Sequence, residues 1–352
     1  MTCRQGDDLY NTFGHNALWV SDPVTKKSEI YNYGLFDFDE PNFLMKFLRG
    51  KLLYALGIQR RESFLNNYSL EKRSILIQKL NLNTAQRNKL YLGLREDYKP
   101  QNRKYLYDFF FDNCSTRIRD LLFNNLEGLE DGSISDNSKT FRQLLDEYTY
   151  GSPWMDFGID LIIGKKADNI ADKDDQMFLP EYLHNRIEGL QIDGKSIVAE
   201  QSMILDYEKE NLQRQQRGWF TPSLIFGILL FIELILLIRS KKVIENKAIR
   251  IYDKIWIFLA GIGGCIVLFM WVGTDHIPTK DNLNILWLNP LFLLLLFTQK
   301  KWMVYTLAFC LVASLFVADF LQQFHPASIM LICLLIIKLM RGQLVKNDQN
   351  IS

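Results

Sequence analysis

Tyr105-Leu-Tyr-Asp-Phe-Phe-Phe-Asp-Asn-Cys-Ser-Thr-Arg-Ile-Arg-Asp-Leu-Leu-Phe123 decides the reading of this chain. The aromatic run Tyr105–Phe111 reads as a strand, and Asp112-Asn113 ends it. A helix then begins, with Asn113 as its N-cap and Cys114 as its first residue. Ile118, Leu121 and Leu122 form its buried stripe. A thiol at a helix N-terminus faces the positive end of the macrodipole, which lowers its pKa and favours the reactive thiolate. Arg117, one turn along, adds positive potential. A lone cysteine opening a helix is also an ordinary inert residue, so the case for chemistry rests on a partner.

A candidate partner stands upstream. Phe13-Gly-His-Asn-Ala-Leu-Trp-Val20 alternates as a strand, with Phe13, His15, Ala17 and Trp19 on one face. Ser21–Lys27 is a turn punctuated by Asp22-Pro23, and Ser28–Gly34 returns as a second strand. His15 then lies near the open end of a hairpin, and thiol plus imidazole make a nucleophile–base pair. Asn32, on the returning strand, is the candidate to orient the imidazole, with Tyr33 and Asp37 behind it. Arg117 has two readings, a phosphate contact or an ion pair with Asp120, and the pair is the simpler.

The averages hide a division. The 352 residues carry a net charge of +1 and are 48% hydrophobic, figures that merge two unlike halves. Residues 1–200 read as a polar, aromatic-rich domain, with two plain helical stretches over 60–100. Residues 201–221 read as a polar spacer, with a charged helix over Glu200–Arg217 leading into Trp219. Residues 222–342 read as an α-helical transmembrane domain, and 343–352 as a tail. No basic stripe or recognition motif points to nucleic acid. Cys265, Cys310 and Cys333 sit in apolar runs, as small hydrophobes do. No Cys/His cluster has zinc spacing, so neither metal nor cofactor is expected. A Cys3–Cys114 disulfide is the one pairing the polar half offers in an oxidising compartment.

About five spans can be read, near 222–238, 255–272, 285–298, 302–320 and 326–340, two of them shorter than the ~20 residues of a straight span. Trp219, Trp256, Trp271, Trp287 and Trp302 fall near their ends, as an interfacial belt requires. Basic residues concentrate in alternate loops: Arg239, Lys241, Lys242, Lys247, Arg250 and Lys254, then Lys300 and Lys301, then Arg341 and Lys346. The positive-inside rule therefore places residues 1–218 outside the cytoplasm and the C-terminus inside. Met1 is followed by Thr-Cys-Arg-Gln-Gly-Asp-Asp rather than an apolar signal core, so either an export segment is missing before it or the domain is cytoplasmic and the charge rule fails; the repeated charge asymmetry favours the first.

At these residues the chain resembles a known family. Thr2–Tyr10, Phe13–Val20, Tyr31-Asn-Tyr-Gly-Leu-Phe-Asp-Phe-Asp39, Asp108–Arg117, Ser152-Pro-Trp154, Phe157–Leu161 and Met177-Phe-Leu-Pro180 are similar to the Lnb family of bacterial lipoprotein N-acyltransferases. Thr274-Asp-His276 and Asn284-Ile-Leu-Trp-Leu-Asn-Pro290 extend the likeness into the membrane half. The resemblance implies an α+β papain-like soluble domain in permuted order, as in NlpC- and LRAT-type proteins, on the periplasmic side of the inner membrane. It implies Cys114 as nucleophile and His15 as base. Asn113 and Arg117 are candidate supporting residues by their own places at the helix start, and His276, which the family motif includes, either supports the site or is a solvated loop histidine. The implied reaction moves an acyl chain from a phospholipid donor, through a Cys thioester, to the amino group of a diacylated lipoprotein.

Two other readings compete: a membrane-anchored cell-wall amidase with the same dyad, and a non-catalytic envelope sensor. A variant of the first reading moves an acyl chain within the lipoprotein itself. Lesser features have plainer expectations. His325 is expected in solvent. Glu233 is expected to pair with Ser or Asn of a neighbouring helix, or to snorkel toward Arg239. Asn289-Pro290 marks either a kink opening a lipid-sized groove or simple packing.

Overall fold

The computed structural model describes residues 1–132, 138–238, 246–298, 300–318 and 320–349. They fold as two compact units. Met1–Ser152, Asn169–Arg217 and Asp275–Ile277 form the first; Pro153–Asp168, Gly218–Thr274 and Pro278–Ser352 form the second. Residues 153–168, which the sequence reading placed in the soluble domain, thus belong with the apolar unit.

The first unit is mixed α/β. One sheet runs in the order Val198–Leu205, Ile75–Leu80, Thr2–Cys3, His15–Asn16. A second runs Leu18–Ser21, Ser28–Leu35, Leu53–Arg60, Lys104–Leu106. The strand expected over Phe13–Val20 is therefore divided. Phe13 and Gly14 belong to a turn in which Gly14 N–H donates to Asn11 O, and Gly14 takes φ +79°, a conformation that favours glycine. The chain then passes from one sheet to the other at Ala17, whose N–H turns aside to Met1 O at 3.1 Å. The hairpin itself forms as read, with Leu18 opposite Tyr31 and Ser21 opposite Ser28. Asp22 closes its turn by accepting from Val24 N–H and Thr25 Oγ1.

Two expectations in this unit give way. The aromatic run is a strand only over Lys104–Leu106. Asp108 then folds the chain back: its carboxylate accepts from the N–H groups of Phe110 and Phe111, and its backbone pairs with Asp112. An aspartate that can bond its own backbone makes a turn in spite of its aromatic neighbours. The polar stretch after Val198 is not a helical spacer throughout. Val198–Leu205 pairs antiparallel with Ile75–Leu80, and helix covers only Glu208–Arg214.

Helix Cys114–Asn125 packs Ile118, Leu121 and Leu122 into a core with Tyr31, Tyr33, Leu56, Met177 and Leu183. Each fully buried Leu or Ile contributes about 1.5–3 kcal/mol, so this stripe anchors the thiol-bearing helix. Cys3 and Cys114 are both free and buried, so the disulfide alternative is not realised.

The second unit holds helices Pro222–Ile238, Lys247–Val272, Lys301–Val317 and Pro326–Gln349. Lys247–Val272, with a mean hydropathy of 2.4, is long and apolar enough to cross a membrane. Over 285–298, where a span is expected, the backbone is not one continuous helix but a 3-10 turn, Leu283–Leu286, followed by the short helix Leu291–Leu295. Asn289-Pro290 lies between them as packing: a Cβ on Gly264 would stand 2.6 Å from Leu288 O and 2.7 Å from Pro290 N. Asn282 and Asn284 donate their amides to the last carbonyls of helix Pro153–Ile162, supplying partners a helix end otherwise lacks.

Glu233 finds neither Ser nor Asn. It pairs with Lys338 and Arg341, which also pair with Asp253, in a buried quartet of two acids and two bases. His325 is buried, not solvated: Nδ1 accepts from Ala327 N–H at 3.1 Å, and Nε2 lies 3.5 Å from Asp156. Arg239, Lys241 and Lys242 of the basic loop lie outside the described residues, as do residues 350–352 of the expected tail.

Candidate active site

Asn113 sets the thiol in place. Its Oδ1 accepts from Ser115 N–H and Thr116 N–H, and Thr116 Oγ1 answers by accepting from Asn113 N–H, a complete capping box. The Asn113 amide also donates to Phe109 O and Phe178 O, tying the helix start to two neighbouring loops. Cys114 follows as the first helical residue.

The imidazole arrives from the other sheet. His15 Nε2 lies 2.6 Å from Asn32 Oδ1, and Asn32 Nδ2 donates to Gln59 Oε1 at 2.9 Å. Because Asn32 presents an acceptor, Nε2 carries the proton, which leaves Nδ1 as the basic nitrogen of the neutral ring. The Cys114 thiol and the His15 ring share a hydrogen bond. Burial pushes the thiol up, but attraction to His15, that hydrogen bond, Asn16 N–H and Ser115 together lower it to about 7. Burial likewise pulls His15 down. The negative charge at Cys114 and hydrogen bonds to Cys114 and Asn32 outweigh it, so His15 is raised. The two shifts agree in direction and describe one pair that favours thiolate and imidazolium.

A β-bulge opens the space in front of them. Asn32 pairs with Gly57 and Leu35 with Ala55, so the strand carries one extra residue between these pairs. Gly34 sits in that bulge at φ +89°. A Cβ there would stand 3.8 Å from Cys114 Cβ, 4.0 Å from His15 Cε1 and 4.0 Å from Tyr105 Oη.

Cys114, His15 and Asn32 thus come together, with Asn113 beneath them as the cap. Tyr33 is turned to Asp97, which its hydroxyl reaches at 2.6 Å, so Gln59 rather than Tyr33 stands behind Asn32. Arg117 forms a two-point pair with Asp112, not Asp120, and stacks 4.1 Å over the Tyr105 ring; Asp120 pairs with Arg119. His276 donates through Nε2 to Phe47 O at 3.1 Å, on helix Phe43–Leu48. Gln59, Gly34 and Asn16 went unread in the sequence. Asn16 adjoins His15 and was set aside by strict alternation. Its side chain accepts from Ser115 Oγ at 2.7 Å, bracing the helix start against the His15 strand.

Comparison with known sequences bears on both units. Residues 1–147 match the family model of the Lnb N-terminal periplasmic domain, and residues 213–349 match that of the Lnb transmembrane domain. No curated protein and no solved structure matches the chain.

Proposed function

Because the chain belongs to the Lnb family, a membrane-anchored protein whose N-terminal part is periplasmic, we propose that it is a thiol acyltransferase that N-acylates lipoproteins. The observation that carries the reading is the Cys114–His15 pair itself: a thiol lowered to about 7 at a helix N-terminus, beside an imidazole held by Asn32. In the first half-reaction the Cys114 thiolate adds to an ester carbonyl of a membrane phospholipid. The ester C–O bond breaks, the imidazolium protonates the leaving alcohol, and a lysophospholipid departs from a thioester. In the second, the free α-amine of a diacylglyceryl-cysteine attacks the thioester. His15 takes the amine proton, the C–S bond breaks, and an amide is released. The reading includes the topology of a multi-pass inner-membrane protein with its C-terminus in the cytoplasm, and a papain-like arrangement of the soluble domain.

The test is mass spectrometry of the N-terminal peptide of a reporter lipoprotein in cells without their own N-acyltransferase. The exported full chain should add an acyl group on the amine, and Cys114→Ala should not. An acyl group redistributed from the diacylglyceryl unit onto the amine would point to transfer within the lipoprotein. An unmodified peptide in both strains would sink lipoprotein acylation and bring the amidase reading forward.

A further inference from the structure

Tyr105 lies on strand Lys104–Leu106, paired with Tyr54. The side chain is only 6% exposed, and its Oη has no hydrogen-bond partner among the described residues. Buried hydroxyls nearly always have one, so an open donor beside a nucleophile marks where a partner arrives with the substrate. Its location supports this. The point a Gly34 Cβ would occupy is within 4.0 Å of Tyr105 Oη, Cys114 Cβ and His15 Cε1 alike. Three functional groups converge on space that glycine keeps clear. Burial also holds the phenol well above the usual tyrosine range, so its proton stays in place at neutral pH.

We infer that Tyr105 is a further catalytic residue, whose Oη–H donates to the acyl carbonyl oxygen as Cys114 Sγ adds to the carbonyl carbon. The assignment rests on the acyl-transfer reading above. As the S–C bond forms, the carbonyl π pair moves onto oxygen, and that oxyanion accepts from Tyr105 and from the backbone N–H of Cys114. On collapse the pair returns to carbon, the bond to the leaving group breaks, and the imidazolium supplies the leaving group's proton. Tyr105 keeps its own proton throughout.

The experiment compares two reactions at one thiol, using the full chain in detergent micelles. A p-nitrophenyl fatty-acyl ester acylates Cys114 through a tetrahedral oxyanion and reports as a burst of p-nitrophenol. Iodoacetamide alkylates the same sulfur by displacement at a methylene and forms no oxyanion. Tyr105→Phe is expected to slow the burst by about 10²-fold and to leave the alkylation rate and its pH midpoint unchanged. An unchanged burst overturns the assignment. Loss of both reactions overturns it too, by showing a structural role. A wild-type chain that is alkylated at Cys114 but gives no burst removes the acyl-transfer reading itself, a result distinct from either.

Discussion

His15 and Asn32 meet across two different sheets, joined by a 2.6 Å contact between Nε2 and Oδ1. The contact fixes which ring nitrogen is basic and helps raise His15. The imidazolium it favours is what holds Cys114 down, first by charge and then by hydrogen bonding, so a change at Asn32 should be readable at the sulfur.

Asn32→Ala is expected to raise the pH midpoint of Cys114 alkylation above the native value of about 7. Losing the acceptor disfavours the imidazolium, which in turn disfavours the thiolate. Acyl transfer should fall by about tenfold or more as the ring loses its orientation. Asn32→Asp, which restores an acceptor, should keep the midpoint low. An unmoved midpoint in the alanine variant would remove Asn32 from the site.

The two polar-half thiols should differ in alkylation mapped by mass spectrometry. Cys114 alkylation should follow its thiolate, falling away as pH drops below about 7 and levelling above it. Cys3, buried and pushed up to about 11, should stay silent at neutral pH. Equal labelling of both would contradict the pair described above.

Gly34→Ala combines strain with obstruction. An L-residue at φ +89° costs about 1–2 kcal/mol, readable as a modest drop in thermal midpoint. The added methyl stands between Cys114, His15 and Tyr105, so activity should fall far more than stability. Full activity in this variant would show that the bulge space is not where the acyl group binds.

Asn113→Ala removes a cap that serves four backbone partners. The loss is expected near the upper end for caps, about 2 kcal/mol, by chemical denaturation of the purified chain. Asn113→Asp keeps the accepting half and should recover part of it.

The helix start was legible because its signals are local. An asparagine cap, a thiol and a stripe at helical spacing all fall within Asn113–Leu122. The hairpin was legible because Asp22-Pro23 separates two apolar strands. What escaped reading depends on distant partners. Nothing near Gln59 announces that it supports Asn32, since that follows from the register of Ser28–Leu35 on Leu53–Arg60. The break at Ala17 depends on Met1 taking its N–H, and the Asp108 turn on a side chain outcompeting the propensity of its aromatic neighbours. In the apolar unit, hydropathy over 285–298 could not show that the backbone there is irregular, because that follows from its close approach to Gly264.

The buried quartet has a consequence for how the protein is made. Glu233 is synthesised 105 residues before Lys338 and 108 before Arg341. At ordinary translation speeds that is a wait of about 5–20 s, during which the nascent first hydrophobic helix holds an acid without its bases. Assembly is therefore completed only when the last helix arrives, and the final segment acts as a checkpoint for the whole membrane unit. A chain ending before Pro326 is expected to be inserted and then rapidly degraded, visible in a pulse-chase as a half-life far shorter than that of the full chain. Equal half-lives would show that Glu233 is accommodated without its partners.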